Sequence, residues 1–275
     1  MFTLERPRGP AGPVLVEVPH AGLRVPEDVL GVLAAPPEAL RRDADLLVDE
    51  LYAGCVERGA ARLVAGLSRY VVDLNRDEDD VDELTVEGLG RPGRQCPRGV
   101  LWRQTADGAP ALSRPLSLAE YHARLERYYR PYHRALEDEL QRLRARYGRA
   151  VLLAAHSMPS VGRSGRADAW VRRADVVPGT RGRSTAAGAL IDVVDRHFRA
   201  AGLTVRHDEP YRGGATTARW GRPSEGLHAI QVELNRGLYL DEVTGARRPE
   251  GFRWLSLLCD ALVSRLVEAS LALPC

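Results

Sequence analysis

Three apolar stretches of the chain end abruptly in polar residues, and their pattern predicts buried strands. Residues 151–155 are small or branched apolar residues, and this run stops at His156. Residues 14–20 and 227–236 are also largely apolar and become polar toward their ends. Short apolar runs that are bounded by turn residues are typical of buried strands. We therefore predict that these three stretches form the centre of a sheet.

The residues at the ends of these stretches are of types that bind metal ions. His20 closes the first stretch, His156 follows the central run, and Glu233 lies near the end of the third. Ligands bind at the carboxyl ends of strands in open α/β sheets, so residues at that edge are expected to meet. Imidazole and carboxylate groups are common zinc ligands. The pattern therefore suggests a metal site.

The remaining apolar positions predict helices between the strands. Helical spacing is found over residues 117–148, 186–202 and 252–271. Pro131 is expected to interrupt the first of these helices. A further helix is expected to begin near Asp43, whose side chain is placed to cap it. Alternating strands and helices predict an α/β fold, a three-layer sandwich around a central mixed, mostly parallel sheet.

Several stretches are less regular. Residues 61–76 are expected to form one long strand or a strand pair, and residues 203–210 a short strand. Residues 77–118 are rich in Gly, Pro, Asp and Arg, which predicts a long irregular excursion that acts as a lid or, alternatively, an inserted disordered segment. Residues 160–184 are expected to be loop. We expect a single domain over residues 1–275.

The amino-acid composition excludes several kinds of catalytic and binding site. All 39 basic residues are arginine, which excludes Schiff-base catalysis and a Walker A lysine because both need an amine. The net charge of +2 gives no electrostatic reason to expect nucleic acid as a partner. The four cysteines include no C-x-x-C pair, so a thiolate zinc cluster is not expected. We expect a cytoplasmic protein without a membrane partner, because no signal peptide or long apolar segment is visible.

The two asparagines of the chain, Asn75 and Asn235, are each followed by arginine. An amide beside a planar guanidinium suits a bidentate clamp on a carboxylate, and Asn75 with Arg76 is such a pair. The alternative is a surface salt bridge between Arg76 and the acids of residues 77–83.

A glycine-bearing loop offers a second place for a ligand. Gly213 and Gly214 can bring backbone amides close to a bound group, and Arg219 could reach one. A serine hydrolase acting through Ser157 is not expected, because no G-x-S-x-G elbow surrounds that residue.

Eight motifs together resemble the N-formylglutamate amidohydrolase family. In chain order they are PHAG, DADLLVDELY, SRYVVDLNR, RPYH, LLAAHSMPS, ADVVPGT, GGATTARWGRP and HAIQVELNRGLYL. They span roughly residues 14–245 in the order and spacing of that family. The family is similar in fold to the zinc carboxypeptidases and to the succinylglutamate desuccinylase and aspartoacylase group. The resemblance implies a zinc-dependent hydrolase of amino-acid catabolism that cleaves the amide between a formyl group and glutamate.

The resemblance also implies roles for single residues. His20 and His156 correspond to two imidazole ligands of one Zn²⁺ ion. The third ligand corresponds to an acid of the DADLLVDE motif, with Asp45 as the expected residue and Asp43 as the alternative. Glu233 corresponds to the general base that takes a proton from the attacking water and passes it to the leaving nitrogen.

Substrate contacts follow from the same resemblance. Asn75 and Arg76 correspond to a pair that holds the substrate carboxylate, and Arg69 to an arginine that faces the oxyanion. Arg219 is expected to bind a second carboxylate, since glutamate has two. The expected partner is therefore a small N-acyl amino acid.

One position departs from the family pattern. The family commonly places an aspartate two residues before the second histidine, where this chain has Ala154. A strand residue two positions before the ligand points to the same face, so that aspartate could orient the ligand. Its absence keeps two alternatives open: a noncatalytic descendant that binds a small carboxylate, and a metallopeptidase or desuccinylase-like amidohydrolase.

Overall fold

A computed structural model describes residues 1–90, 95–163 and 170–274, and the chain divides into two compact units. The first unit comprises Met1–Thr3, Pro19–Leu46 and Val64–Glu137. The second comprises Leu4–Val18, Leu47–Leu63 and Asp138–Cys275. The expectation of one domain with a lid stays a prediction.

Groups of strands and groups of helices follow one another along the described residues. The strands are β1 (Phe2–Glu5), β2 (Val14–Val18), β3 (Ala61–Ala65), β4 (Ala150–Met158), β5 (Val161–Arg163), β6 (Trp170–Arg172), β7 (Val176–Gly179) and β8 (Leu227–Asn235). The α-helices are α1 (Glu27–Leu30), α2 (Pro37–Asp43), α3 (Val48–Leu51), α4 (Leu118–Arg124), α5 (Arg130–Tyr147), α6 (Gly188–Ala200), α7 (Ala215–Trp220) and α8 (Pro249–Ala272). Short 3₁₀ turns lie at Ala53–Val56, Pro223–Glu225 and Arg236–Leu238, and a π-helical turn at Leu125–Tyr129.

Six of these strands form one sheet in the order β1-β3-β2-β4-β8-β7. Strands β2, β4 and β8 run parallel, and β7 is antiparallel to β8. Every residue of β2, β4 and β8 is buried, which fits their near-continuous apolar sequences, because parallel strands are covered on both faces. The predicted α/β fold with a mixed, mostly parallel sheet is confirmed.

Helices of the second unit pack on this sheet through their apolar stripes. Helices α6 and α8 pack against each other, α8 also packs on β2, and α6 on β7. On α6 the buried residues Leu190, Ile191, Val194 and Phe198 recur at helical spacing. Both helices agree with the ranges predicted from that spacing. Among the described residues, no helix is both long and apolar enough to cross a membrane.

The prediction that Asp43 caps a following helix was wrong. Asp43 is the last residue of α2, and α3 begins only at Val48, after Leu47 in a left-handed conformation with φ of 65°. The carboxylate of Asp43 accepts hydrogen bonds from the Tyr70 hydroxyl and the Ala106 backbone amide. Tertiary partners therefore hold this side chain, and it is not available to the first turn of α3.

The prediction that Pro131 interrupts a helix was also wrong. The π-helical turn at Leu125–Tyr129 joins α4 to α5 without a break, and the Arg130 amide donates to the Leu125 carbonyl. Proline cannot make the usual bond to the residue four positions earlier, and its ring crowds that carbonyl. A wider turn just before the proline relieves the conflict, so the helix continues.

Three expectations about irregular stretches also need correction. The stretch 61–76 contains only β3, and residues 203–210 contribute a single bridge, between Val176 and Val205. The described part of 160–184 is not all loop, because it contains β5, β6 and β7; residues 164–169 lie outside the described residues. These strands have three or four residues, too few for a clear alternation. Pairing with β6 or β8, and not local pattern, therefore decides them.

Candidate metal centre

His20 lies two residues beyond β2, buried among charged side chains of the first unit. Its Nε2 atom is 2.7 Å from Oδ1 of Asp73, and its Nδ1 atom is 3.6 Å from Oδ2 of Asp45. The Arg69 guanidinium also contacts Nδ1. The Asp45 backbone amide donates to the His20 carbonyl at 2.9 Å, which fixes the two segments to each other.

Asp73 is a site residue that the sequence analysis did not single out. Its carboxylate accepts hydrogen bonds from the Trp102 indole at 3.0 Å and the backbone amide of Asn75 at 2.9 Å, besides its contact with His20. Burial raises the pKa of Asp73, but its electrostatic interaction and hydrogen bond with His20, together with the charge of Arg69, outweigh that effect and hold the pKa well below its ordinary value. An ionised carboxylate on Nε2 assigns the proton to that nitrogen, so Nδ1 presents the lone pair that binds metal ions.

The signal for Asp73 was present in the sequence. It is an acid directly after the apolar run Tyr70–Val72, two residues before Asn75. The role of an acid at such a position cannot be assigned until its partner is known. The partner of Asp73 is His20, which is 53 residues away in the chain, so the local sequence did not reveal the role.

His156 and Glu233 face each other across two paired strands of the second unit. They are partners in the register of β4 with β8, and both are buried. The Gln231 amide donates to Oε1 of Glu233 at 2.8 Å, and its oxygen accepts from the Gly214 amide at 2.9 Å. As strand alternation predicted, Gln231 shares the face of Glu233. It orients that carboxylate and joins it to the glycine-bearing loop.

Glycines allow this loop to lie close to β7. A Cβ atom at Gly179 would be 2.6 Å from the Gly213 amide nitrogen, which is closer than real contacts allow. Gly213 itself has a φ of +98°, a conformation that favours glycine. Arg219 is exposed on α7, whose other side buries Thr217 and Trp220.

Asn75 and Arg76 follow Asp73 in the same turn of the first unit. The side chain of Arg76 is 46% exposed, and its Nη1 atom is 3.5 Å from Oδ2 of Asp80. Its backbone carbonyl accepts a hydrogen bond from the Tyr129 hydroxyl at 2.7 Å. The surface ion pair that the sequence left open as an alternative is therefore present, in a loose form, while the backbone is held firmly.

The expected ligands are buried in both units. In the first unit, His20 Nδ1 lies 3.6 Å from Oδ2 of Asp45, and in the second unit His156 is buried near the end of β4. Two imidazoles and a carboxylate are the donor set of catalytic zinc sites, which take three protein ligands and leave a position open. The residues present therefore fit a divalent metal ion. Asp43 is held instead by Tyr70 and Ala106.

Comparisons with known proteins match this chain to one family over most of its length. The model of the N-formylglutamate amidohydrolase family matches residues 12–240. An N-formylglutamate deformylase of Pseudomonas aeruginosa is 32% identical over 266 residues, covering 94% of this chain and 93% of the relative. One from Pseudomonas putida is 31% identical over 235 residues, covering 84% of this chain and 82% of the relative.

Solved structures show the same likeness. The crystal structure of N-formylglutamate amidohydrolase from Ralstonia eutropha JMP134 matches with a TM-score of 0.88 at 35% identity, over 97% of both chains. A gene product of Agrobacterium tumefaciens matches with a TM-score of 0.71 at 20% identity, over 97% of this chain and 95% of the other, and supports the fold alone. By the extent of these matches, as its motifs predicted, the chain belongs to the N-formylglutamate amidohydrolase family.

Proposed function

We propose that this protein is a zinc-dependent amidohydrolase that cleaves N-formyl-L-glutamate into formate and L-glutamate. Two observations carry the proposal, one from each unit: His20 and Asp45 lie together with Asp73 in the first, and buried His156 is the strand partner of Glu233 in the second. The Pseudomonas relatives support this substrate. Both are named N-formylglutamate deformylases, and their matches cover 94% and 84% of this chain.

His20, Asp45 and His156 would hold the metal ion. When bound, such an ion supplies positive charge that polarises an amide carbonyl and lowers the pKa of water. Asp73 keeps the ring of His20 in the orientation and tautomer that a ligand needs, because it holds Nε2 at 2.7 Å. Asp45 is tied to the His20 backbone, so these two ligands keep their spacing.

Glu233 would act as the general base and then as the general acid. It is buried, and Gln231 holds one of its oxygens at 2.8 Å, so the carboxylate has a defined direction. In the reaction it takes a proton from the attacking water and delivers it to the nitrogen of the leaving glutamate. The strand partner of Glu233 is His156, and this pairing supports a base that lies beside a metal ligand and is not itself a ligand.

The arginines would recognise charge on the substrate. The Arg69 guanidinium lies at His20 and is mostly buried, so we assign to it the oxyanion that develops on the carbonyl oxygen. One such donor contributes about 3 to 4 kcal/mol to the transition state. Asn75 and Arg76 would hold one carboxylate of the substrate, and Arg219, with Gly213 and Gly214 of its loop, would bind the other. Arg76 is half-exposed and only loosely paired with Asp80, so a substrate carboxylate can replace that partner.

A hydrolysis screen combined with metal analysis tests the proposal. The protein is purified without chelators, its zinc content is measured, and it is offered N-formyl, N-acetyl and N-succinyl derivatives of acidic and neutral amino acids. We expect one zinc ion per chain and activity confined to N-formyl acidic substrates. Turnover of N-succinyl substrates alone would favour a desuccinylase-like enzyme. Protein that is folded but holds no metal and releases no formate would favour the noncatalytic carboxylate-binding alternative.

A further inference from the structure

Glu17 is a carboxylate in the middle of an apolar strand, and the proposed mechanism does not use it. It is the charged residue of β2, whose sequence is VLVEV, and none of its surface is exposed. Burying a carboxylate costs several kcal/mol unless partners compensate it. A buried carboxylate among apolar residues therefore points to a role in the chemistry of the site.

Strand pairing places Glu17 on the same face of the sheet as the site. Glu17 is the register partner of Ala154 on β4, and Ala154 is in turn the partner of Gln231 on β8. Side chains two residues apart on a strand share a face, so His156 and its partner Glu233 belong to that face as well. One polar surface therefore runs across three adjacent strands, all from the second unit.

The spacing lets Glu17 reach His156. Neighbouring strands lie about 4.8 Å apart and residues rise about 3.3 Å each, so the two Cα atoms are diagonal neighbours at about 8 Å. A glutamate and an imidazole that lean toward each other span such a distance. Ala154 lies beside the diagonal, and its methyl group leaves room for the longer side chain of Glu17.

A metal-binding histidine needs a hydrogen-bond partner for its other ring nitrogen, because that partner sets the tautomer and the ring orientation. His20 has such a partner in Asp73. On β4 the same-face neighbours of His156 are Ala154 and Met158, and neither carries a carboxylate. On β8 the carboxylate of Glu233 is assigned to proton transfer. Glu17 on β2 is the remaining carboxylate on this face of the three strands.

We propose that Glu17 is the positioning residue of His156, and that it accepts the hydrogen bond from the ring nitrogen that does not face the metal. This inference rests on the proposed metal-dependent function. It assigns each histidine ligand its own carboxylate, Asp73 for His20 and Glu17 for His156. It also explains how the chain functions with Ala154, since the adjacent strand provides the carboxylate that β4 lacks.

The test measures metal affinity and not only activity. Wild type, Glu17→Gln and the control Val16→Ala are titrated with Zn²⁺ against a chromophoric chelator and with Co²⁺ by visible absorption. Val16 is on the same strand but the opposite face, so its loss affects packing without touching the site. We expect Glu17→Gln to bind Zn²⁺ about 10- to 100-fold more weakly and to change the Co²⁺ spectrum. Val16→Ala should lower the melting temperature and leave both readouts unchanged.

A second variant moves the carboxylate to the neighbouring strand. Glu17→Ala combined with Ala154→Asp should recover a large part of the Zn²⁺ affinity that Glu17→Ala alone loses, because position 154 shares the face of His156. The double variant also tests the role of Glu17 if Glu17→Gln folds poorly. Recovery supports the proposal.

The outcomes separate this inference from the proposed function. Wild-type protein that binds no metal contradicts the proposed function itself. Wild type that binds metal while Glu17→Gln binds it equally well, with the same Co²⁺ spectrum, overturns the role of Glu17 alone. A Glu17→Gln variant that is only less stable, at unchanged affinity, likewise makes Glu17 a structural residue and overturns the inference.

Discussion

The two faces of the central strands β2, β4 and β8 are both buried and differ in their chemistry near the carboxyl ends of the strands. One face, here called the site face, carries Glu17, Ala154, His156, Gln231 and Glu233. The other, here called the apolar face, carries Val16, Val18, Leu153, Ala155, Ile230 and Val232. Successive residues of the same strands alternate between the two, so each strand serves both purposes at once.

The residues of the apolar face stabilise the fold, whereas the polar residues of the site face are those proposed for metal binding and catalysis. Burial of apolar side chains stabilises a protein by about 25 cal/mol per Å². Burial of polar side chains costs free energy unless they find hydrogen bonds, as Gln231 does with Glu233 and Gly214. The apolar face therefore contributes stability through burial alone, whereas the site face depends on its hydrogen bonds. Changes on the two faces should consequently affect different measurements.

The largest effect is expected for His156→Ala. Removal of one of three protein ligands should abolish zinc binding and turnover together. The matched control is His228→Ala, because His228 is a buried histidine on β8 that pairs with Val151 and so belongs to the apolar face. The control should lose stability and keep its zinc. Full zinc content and a near-normal rate in His156→Ala would make that histidine structural.

The next largest effect is expected for Glu233→Gln. The amide keeps the shape and hydrogen-bonding capacity of the carboxylate but cannot accept a proton, so kcat should fall by about 10² to 10⁴. Zinc content and substrate binding should remain close to wild type. Loss of zinc would instead identify Glu233 as a ligand, and an unchanged kcat would remove it from the mechanism.

A change on the apolar face should act on stability alone. Leu153→Ala removes a fully buried side chain next to Ala154 and should lower the free energy of unfolding by about 2 to 5 kcal/mol. Zinc affinity and kcat of the folded fraction should stay unchanged, as urea denaturation and metal titration would measure. A strong fall in zinc affinity at moderate destabilisation would show that the two faces are coupled.

The smallest effect is expected in the pH dependence of the free energy of unfolding, to which His228 contributes. Burial, and secondarily the charge of Arg149, lower the pKa of His228 below the ordinary value of 6.5. The unfolded state then binds more protons than the native state, so this residue's contribution to stability is present at neutral pH and decreases as the pH falls below about 6.5. We expect His228→Gln to lose less stability than wild type between pH 7.5 and 5.5. The free energy of unfolding of both proteins is measured by urea denaturation at the two pH values. If His228→Gln and wild type lose the same amount between pH 7.5 and 5.5, the assignment is contradicted.

The hydrophobic pattern of the sequence predicted those site residues that stand at the end of an apolar strand. The apolar runs before His156 and before Glu233 predicted β4 and β8, and the polar residues at their ends lie together as strand topology requires. The pattern did not mark Glu17, although a single acid in VLVEV was visible, because one polar residue in a strand has no meaning until its neighbours across the sheet are known.

The choice between two acids shows the same limit. Asp43 and Asp45 lie two residues apart, and the family resemblance gave Asp45 as the expected third ligand and Asp43 as the alternative. The structure ties Asp43 to Tyr70 and Ala106, and it brings Asp45 to His20. Those partners are tens of residues away in the chain, so hydrophobic pattern and spacing could not show what either acid contacts.

By itself, the sequence determined the fold class, the family and the residue types of the site, because apolar periodicity and motif order are properties of neighbouring residues along the chain. The tertiary structure alone decided the roles that depend on distant partners. It placed Asp73 on His20, continued the helix past Pro131 and set Glu17 on the face of His156. Such assignments follow from which segments meet in space, and pairing between strands or side chains far apart in the chain leaves no local pattern to read.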